Sequence, residues 1–163
     1  ELINLNDLFT IKSVFSENKI KTYYEKNKGK YVEIYKSVKF LEITPIKLIG
    51  TDDFNDIFFK KLDEIYDAII QEKKLDSIVK EYNLEKPNIF KTNKFGQNSN
   101  FQIIEDLPKD LIENIFLLSD DELTSFIEKK DKFYIIEIIK TENIQRRITD
   151  QTVKKEILLN LKK

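Results

Sequence analysis

Two clusters of carboxylates have the residue types and spacing that could do chemistry in this chain. They are Asp52, Asp53 and Asp56 in the first cluster and Asp120, Asp121 and Glu122 in the second. Neighbouring carboxylates can act as general acid and base, or bind a divalent cation. Each cluster, however, lies at a predicted helix start or turn, and neither has the spacing and glycine of a calcium loop. We therefore expect no metal site and no hydrolase active site at either cluster.

Histidine and cysteine are both absent from the sequence. Without imidazole, the usual general acid–base group near neutral pH is missing. Without a thiolate there is no cysteine nucleophile, and zinc sites built from His and Cys are excluded as well. We expect no cofactor and no metal.

The composition is that of a charged globular protein with a core of its own. Hydrophobic residues make up 40% of the 163 residues and charged residues 35%, yet the net charge is only −1. Because there is no basic block, nucleic acid is not an expected partner. No apolar run could span a bilayer, so we expect no membrane contact within this chain. It begins at Glu1, so we expect a processed piece, with any anchor upstream.

The stretch that organises the other elements is residues 133–140. Its β-branched and aromatic residues fit a pleated sheet surface. Its length is typical of a strand buried on both faces and is too short for a membrane span. We predict that it is the central strand of a small sheet. A second strand is predicted at residues 36–44, where Pro45 ends it.

Apolar periodicity and capping residues predict the helices. Ser16 caps the first, which runs to about Asn27, and Thr149 caps the last. Residues 51–53 cap the longest helix, whose apolar residues at 3.6-residue spacing predict one broad buried face. These residues are Phe54, Ile57, Phe58, Leu62, Ile65, Tyr66, Ile69 and Ile70. A shorter helix is predicted at residues 75–82, and a helical turn after Pro108.

Residues 119–128 allow two interpretations. Ser119 and Glu122 have the spacing of a capping box, which predicts a helix. Residues 124–128 also suit a strand that pairs with residues 133–140 across a turn at 129–132. The local pattern favours the helix. We nevertheless predict the hairpin, because of the family resemblance described next.

The order of these elements resembles that of parvulin-type peptidyl-prolyl isomerases. Residues 75–83 resemble the family's short second helix, and residues 107–116 the stretch that ends in Ala-Phe. Residues 121–127 are similar to its Gly-Glu-Val-Ser turn and strand, and residues 132–136 to Gly-Tyr-His-Ile-Ile. The resemblance implies an α+β fold, with a small antiparallel sheet of about four strands wrapped by helices.

The flanks resemble those of periplasmic chaperone–foldases of the SurA and PpiD kind, in which helices beside the parvulin domain form a chaperone lobe. The resemblance thus implies a flanking helical segment at residues 1–35, a parvulin-like domain at residues 36–141 and a C-terminal helix at residues 142–163. It also implies a periplasmic or cell-envelope location. An upstream anchor in the inner membrane would fit this location.

The chain departs from the family at its polar site residues. Active parvulins carry one histidine on the first strand and another on the last, and these positions fall on Phe40 and Tyr134. The family's acidic or thiol residue after the second helix has no clear counterpart, with Asn83 and Glu85 nearest. We therefore name no confident catalytic residue.

An apolar cup is retained at the positions of the family's pocket residues. The candidate binding residues are Phe40, Leu107, Leu111, Phe116 and Tyr134. Since aromatic strand residues are usually packing residues, the alternative that Phe40 and Tyr134 belong to a plain core stays open.

Prolyl isomerisation needs no nucleophile. Its barrier of about 18–20 kcal/mol reflects amide resonance, and an enzyme lowers it by binding the twisted amide in a dry pocket. Without the paired imidazoles, we expect a domain that binds unfolded or extended client polypeptides with little or no isomerase activity. Two alternatives stay open: a genuine isomerase that uses Tyr134, and a scaffold that assembles a larger complex without binding clients.

Overall fold

The computed structural model describes residues 15–119, 124–130 and 132–162. Over these residues the chain forms a four-stranded antiparallel sheet, six α-helices and one short 3₁₀ helix. The predicted α+β fold class is therefore confirmed. The carboxylate cluster at residues 120–122, and the first 14 residues of the predicted flanking segment, lie outside the described residues.

The sheet has the strand order β2-β1-β4-β3. Its strands are β1 (Val32–Ile43), β2 (Asn88–Asn93), β3 (Thr124–Lys129) and β4 (Lys132–Gln145). β3 and β4 form a hairpin, with Thr124 opposite Glu137 and Lys129 opposite Lys132. The predicted hairpin is confirmed, since pairing with β4 outweighs the capping-box signal.

β4 is the central strand that the sequence predicts. It lies between β1 and β3, and residues 133–138 are all buried. This unbroken burial reflects a sheet covered on both faces, for which alternation between apolar and polar residues is not required. β1 begins at Val32, four residues before the predicted start of the strand.

The helices are α1 (Glu17–Lys26), α2 (Pro45–Ile49), α3 (Asp56–Ile70), α4 (Leu75–Glu81), α5 (Lys109–Leu117) and α6 (Gln151–Lys162), with the 3₁₀ helix at Lys28–Tyr31. The sequence analysis did not predict α2. Thr44 accepts a hydrogen bond from Lys47 N at 3.4 Å, and Pro45 occupies the first helical position, where a missing N–H costs little. The proline that ends β1 therefore also begins a helix.

The two faces of the sheet carry two separate apolar cores, because side chains alternate along each strand. One core packs β1 and β4 against α2, α3 and α4, and its residues include Leu41, Ile43, Leu48, Phe58, Leu62, Ile65, Leu75, Ile78, Phe133 and Ile135. The other packs the same strands against α5, and its residues include Val38, Phe40, Leu107, Leu111, Ile115, Ile127, Tyr134, Ile136 and Ile138. Successive residues of β1 and β4 thus serve different cores.

Two predicted helix caps are wrong by one or more residues. The cap of α3 is Asn55 and not residues 51–53, since the Asn55 side chain accepts hydrogen bonds from Ile57 N and Phe58 N, both at 3.1 Å. At α6, Asp150 replaces Thr149, because Asp150 Oδ1 accepts from Thr152 N at 2.9 Å. In both cases the helix begins where a side-chain oxygen reaches its first free N–H groups.

The prediction of one broad buried face on α3 is also wrong, because the stripe that the helix buries is narrower than predicted. Phe58, Leu62 and Ile65 are buried, as predicted. Four other members of the predicted face are exposed: Phe54, Ile57, Tyr66 and Ile70. A helix that packs on one sheet buries a stripe, and apolar residues on the flanks of that stripe stay in water.

The chain divides into two compact units. Residues 34–142 form one, with the two cores just described. The described part of the other contains α1, the 3₁₀ helix and α6. Its buried apolar residues are Ile20, Tyr24, Tyr31, Val153, Ile157 and Leu158. The assignment of the flanks to a chaperone lobe stays a prediction. Among the described residues, no helix has the length and apolar character needed to cross a membrane.

Candidate functional site

Phe40 of β1 and Tyr134 of β4 are brought together by the pairing of the two inner strands. Their rings stack with centroids 5.5 Å apart and 28° between the ring planes. Only 5% of Phe40 and 2% of Tyr134 is exposed. Phe90 of β2 also packs against Phe40, with ring centroids 6.1 Å apart. The positions that the resemblance assigns to the family's histidines therefore hold a buried aromatic pair.

The other candidate binding residues lie in or beside the same core. Leu107 and Leu111 are 1% and 0% exposed, and Phe116 of α5 packs against the core while staying half-buried. All five candidates thus lie in or beside one core. Four of them present almost no surface to a ligand, because they fill the space between the sheet and α5. Their role in binding stays a prediction.

Burial and nearby charges, chiefly that of Lys132, affect the hydroxyl of Tyr134. Burial raises the pKa of the Tyr134 phenol above its usual value of about 10, and Lys132 partly opposes this shift. Lys132 in turn lies 3.3 Å from Glu42 Oε1. The phenol therefore stays protonated at neutral pH. It can donate a hydrogen bond, but it offers no base to accept a proton.

Lys36 is a buried cation on the same face of β1, and the sequence analysis missed it. Its Nζ donates to Leu118 O at 2.5 Å and lies 5.8 Å from the centroid of the Phe116 ring. Leu118 follows the last turn of α5, where carbonyl groups lack helical partners and the helix dipole is negative. Lys36 therefore ties the end of α5, and Phe116 with it, to the sheet. In the sequence, Lys36 alternates with Val38 and Phe40, and this spacing indicates that all three side chains lie on the same face of the strand.

A buried carboxylate on the opposite face holds the two inner strands in place. Glu137 of β4 accepts hydrogen bonds from Leu75 N at 2.7 Å and from Lys39 Nζ at 3.0 Å. Lys39 also donates to Asp76 Oδ2 at 2.7 Å, and this bond raises the pKa of Lys39 although burial opposes it. The network joins β1, β4 and the start of α4. In the sequence, this network is indicated by Glu137, the one charged residue within the apolar run at residues 133–139.

The loop after β2 closes against α5. Asn93 Oδ1 accepts hydrogen bonds from Phe95 N at 3.0 Å and Gln97 N at 2.9 Å. Between them, Gly96 has φ +73°, and a Cβ there would lie 2.4 Å from Ile112 Cδ1. Glycine is therefore favoured by the backbone conformation, and any larger residue would also force the end of the Ile112 side chain to shift.

This approach leaves an open depression of about 410 Å³ on the outer side of α5. Phe95, Ile112, Phe116 and Leu117 supply its apolar lining, with Lys94, Lys109 and Glu113 beside them. Phe95 and Leu117 are 59% and 76% exposed. Phe116 is therefore the candidate binding residue that a ligand at this surface would meet.

Asn83 and Glu85, the nearest counterparts of the family's acidic or thiol residue, both lie at the surface. Asn83 has φ 51°, the left-handed conformation common after a helix end. Glu85 lies 3.2 Å from Lys47 Nζ. Neither position gives the buried Phe40–Tyr134 pair a catalytic neighbour.

The arrangement suits apolar recognition more than proton transfer. No group of three or more His, Cys, Asp or Glu side chains is placed to hold a metal ion in the part of the chain that the structure describes. Of the two positions that the resemblance assigns to the family's histidines, only Tyr134 carries a polar group, its hydroxyl. The chemistry available there is hydrogen-bond donation next to an apolar core.

Comparison with known proteins identifies the family. No curated protein and no solved structure matches the chain. The family model of the PPIC-type PPIase domain matches residues 15–151, which include all four strands and all five candidate binding residues. The match covers most of the 163 residues. The chain belongs to the PPIC-type peptidyl-prolyl isomerase family, the parvulin-like domains that the resemblance predicted.

Proposed function

We propose that this parvulin-like domain binds extended or unfolded client polypeptides, with little or no isomerase activity, as part of a folding factor of the cell envelope. The observation that carries the proposal is the stacked, buried pair of Phe40 and Tyr134. It stands where the resemblance places the two imidazoles of an active parvulin. The chain keeps the fold of the isomerase, while a buried aromatic pair takes the place of the polar groups of the family's active site.

The closed cup argues against efficient catalysis. An isomerase must hold the twisted amide more tightly than the planar one, and it does so with groups that touch the substrate. At 5% and 2% exposure, Phe40 and Tyr134 have almost no surface with which to touch a proline ring. Each tenfold loss of rate corresponds to about 1.4 kcal/mol of lost transition-state stabilisation, so the loss of a few contacts removes most of the acceleration.

Binding is supported by the accessible apolar surface next to this cup. Phe95, Phe116 and Leu117 line the depression on α5, and the ammonium groups of Lys94 and Lys109 stand beside it. Apolar side chains with a few polar neighbours are typical of surfaces that recognise polypeptides. Such a surface can hold an extended segment without an open proline pocket.

Two measurements on the same preparation test the proposal. A protease-coupled assay with an Ala-Pro peptide is expected to give a rate close to the uncatalysed one. Suppression of aggregation of a chemically unfolded client protein is expected, and it should weaken severalfold in Phe116→Ala, with exposed Leu159→Ala in the other unit as the control. Robust isomerisation would overturn the inactive-domain part. Absence of any client binding would favour the scaffold alternative.

A second candidate, a genuine isomerase, is favoured by the Tyr134 hydroxyl. Burial keeps this phenol protonated, so it could donate a hydrogen bond to a twisted amide if the cup opened. Tyr134→Phe keeps the ring and removes only the donor. A measurable wild-type turnover that Tyr134→Phe abolishes would support this candidate over a binding domain.

A further inference from the structure

Lys36 of β1 places a positive charge where an apolar side chain would cost less. Only 6% of Lys36 is exposed, and no other lysine is buried in the part of the chain that the structure describes. Among these described residues, its ammonium group has no carboxylate as an ion-pair partner. Burial of an ammonium group without an opposite charge costs free energy. The stability of the core therefore gives no reason for a lysine at this position.

Both contacts of the Lys36 ammonium group are made with the end of α5. Its Nζ donates to Leu118 O at 2.5 Å and lies 5.8 Å from the centroid of the Phe116 ring. A cation over an aromatic face is attracted by the ring quadrupole, and the attraction is stronger where water is excluded. One group on the sheet therefore holds both the backbone that follows α5 and the ring of Phe116.

The end of α5 also forms the accessible part of the proposed client-binding surface. Phe116 packs against the core and lines the depression on the outer side of α5. Leu117, which is 76% exposed, lines the same depression. Both residues lie in the last turn of α5, where the hydrogen bonds within the helix run out. The shape of this lining thus depends on what holds the last turn against the sheet.

We propose that Lys36 is a positioning residue for client binding. Its buried ammonium group holds Phe116 and Leu117 in the arrangement that receives an extended apolar segment, and it does not touch that segment itself. A lining that is fixed in advance loses less conformational freedom on binding, which raises affinity. This inference rests on the proposed function and assigns the pre-organisation of its binding surface to one residue of the sheet.

Two substitutions of Lys36 test this role in the whole chain. Lys36→Met keeps an unbranched side chain without charge or donor, whereas Lys36→Arg keeps both. The probe is a fluorescein-labelled peptide that repeats Leu-Ser-Pro-Ser. It has no charged side chain, so direct attraction to the lysine charge does not contribute to its affinity. By fluorescence anisotropy, Lys36→Met is expected to bind about three- to tenfold more weakly than wild type, and Lys36→Arg to keep most of the affinity.

Urea unfolding of the same variants separates positioning from stability. Because Lys36→Met removes a buried charge, its unfolding midpoint is expected to equal or exceed that of wild type. Glu137→Gln, on the opposite face of the sheet, is the control. It is expected to lower the midpoint and to leave the affinity for the peptide unchanged. A purely structural role of Lys36 would instead lower stability and affinity together.

A spin label measures the order of α5 without any client. The chain contains no cysteine, so one introduced cysteine takes the label at a single position. Leu117→Cys reports on the last turn of α5, and Ile57→Cys, at a position of α3 that is 63% exposed, is the control. When Lys36→Met is added, electron paramagnetic resonance is expected to show faster motion of the label at position 117 and no change at position 57.

The positioning role is overturned if Lys36→Met binds the peptide as tightly as wild type, or if Lys36→Arg binds no better than Lys36→Met. It is also overturned if affinity falls only together with the unfolding midpoint, or if the label at position 117 moves equally with and without Lys36→Met. The failure of the proposed function looks different. The wild-type chain would then neither bind the peptide nor suppress client aggregation, although the label at position 117 still responds to Lys36→Met.

Discussion

Phe40 and Tyr134 stack across the two inner strands of the sheet, with ring centroids 5.5 Å apart and at most 5% of either residue exposed. The resemblance to parvulins places the family's two histidines at these positions. A pair of imidazoles there would present polar atoms to a substrate. The aromatic pair instead completes the core between the sheet and α5, which is why we propose binding, and not catalysis, for this domain.

Removal of the Phe40 ring is expected to be costly. Phe40→Ala deletes a buried ring with two aromatic neighbours and leaves a cavity, so a loss of about 3–5 kcal/mol in the free energy of unfolding is expected. Tyr134→Phe keeps the stacking and is expected to change stability by about 1 kcal/mol or less. Urea unfolding followed by circular dichroism measures both. A loss below about 0.5 kcal/mol in Phe40→Ala, as for a surface substitution, would contradict the core assignment.

The buried carboxylate of Glu137 is expected to contribute to stability. Glu137→Ala leaves Leu75 N without its acceptor and removes one of the two carboxylates that pair with Lys39, which keeps Asp76. A loss of about 1–3 kcal/mol is expected for the unsatisfied buried N–H. Glu137→Gln keeps an acceptor for Leu75 N and should lose less. The same urea titrations measure both. Glu85→Ala, which breaks an exposed pair with Lys47, is the control and is expected to stay within about 1 kcal/mol of wild type.

Gly96 and Gly50 offer a matched pair of substitutions. Both have a positive φ, +73° and +78°, so alanine is strained at either position by about 1–2 kcal/mol. Only at Gly96 would the new Cβ meet another side chain, at 2.4 Å from Ile112 Cδ1. Gly96→Ala is therefore expected to be the more destabilising, as measured by thermal unfolding. Combining Gly96→Ala with Ile112→Val, which removes the Cδ1 atom, should reduce the difference in stability between the two alanine variants. Equal losses of stability in Gly96→Ala and Gly50→Ala would contradict this expectation and show that the Ile112 side chain moves aside without cost.

Asp150 is expected to make the unit of α1 and α6 sensitive to acid. Burial opposes ionisation of this carboxyl, but hydrogen bonds from Arg146, at 2.9 Å and 3.2 Å, and from Thr152 N lower its pKa below the usual value. Because the pKa is lower in the folded state, the stabilisation is complete above the unfolded pKa of about 3.9 and is lost as pH falls through the folded one.

Asp150→Asn isolates this effect, since asparagine also caps helices well. The wild-type chain is expected to lose stability between about pH 5 and the acid range, and the variant should lose less over the same interval. Circular dichroism during urea titrations at several pH values measures this difference. Parallel pH profiles in the two proteins would mean that other carboxylates dominate the acid response.

Much of the fold could be predicted from short-range patterns. The apolar run at residues 133–140 predicted the central strand, and Ser16 predicted the start of α1, where its side chain accepts from Lys19 N. The hairpin needed the family resemblance, because the local capping-box signal favoured a helix. Caps at α3 and α6 were misplaced, since several candidate residues lie side by side and only the folded backbone decides which oxygen reaches the free N–H groups.

The sequence by itself determined which groups the chain has for chemistry. Because it contains no His and no Cys, its composition alone excludes imidazole and thiolate mechanisms. The tertiary structure alone decided that Phe40 and Tyr134 close on each other, that Glu137 reaches the start of α4, and that Tyr66 and Ile70 stay in water. The reason is that contact and exposure depend on which layers pack together. Residues far apart in the chain meet only when strands pair and helices cover them, and no local spacing contains that information.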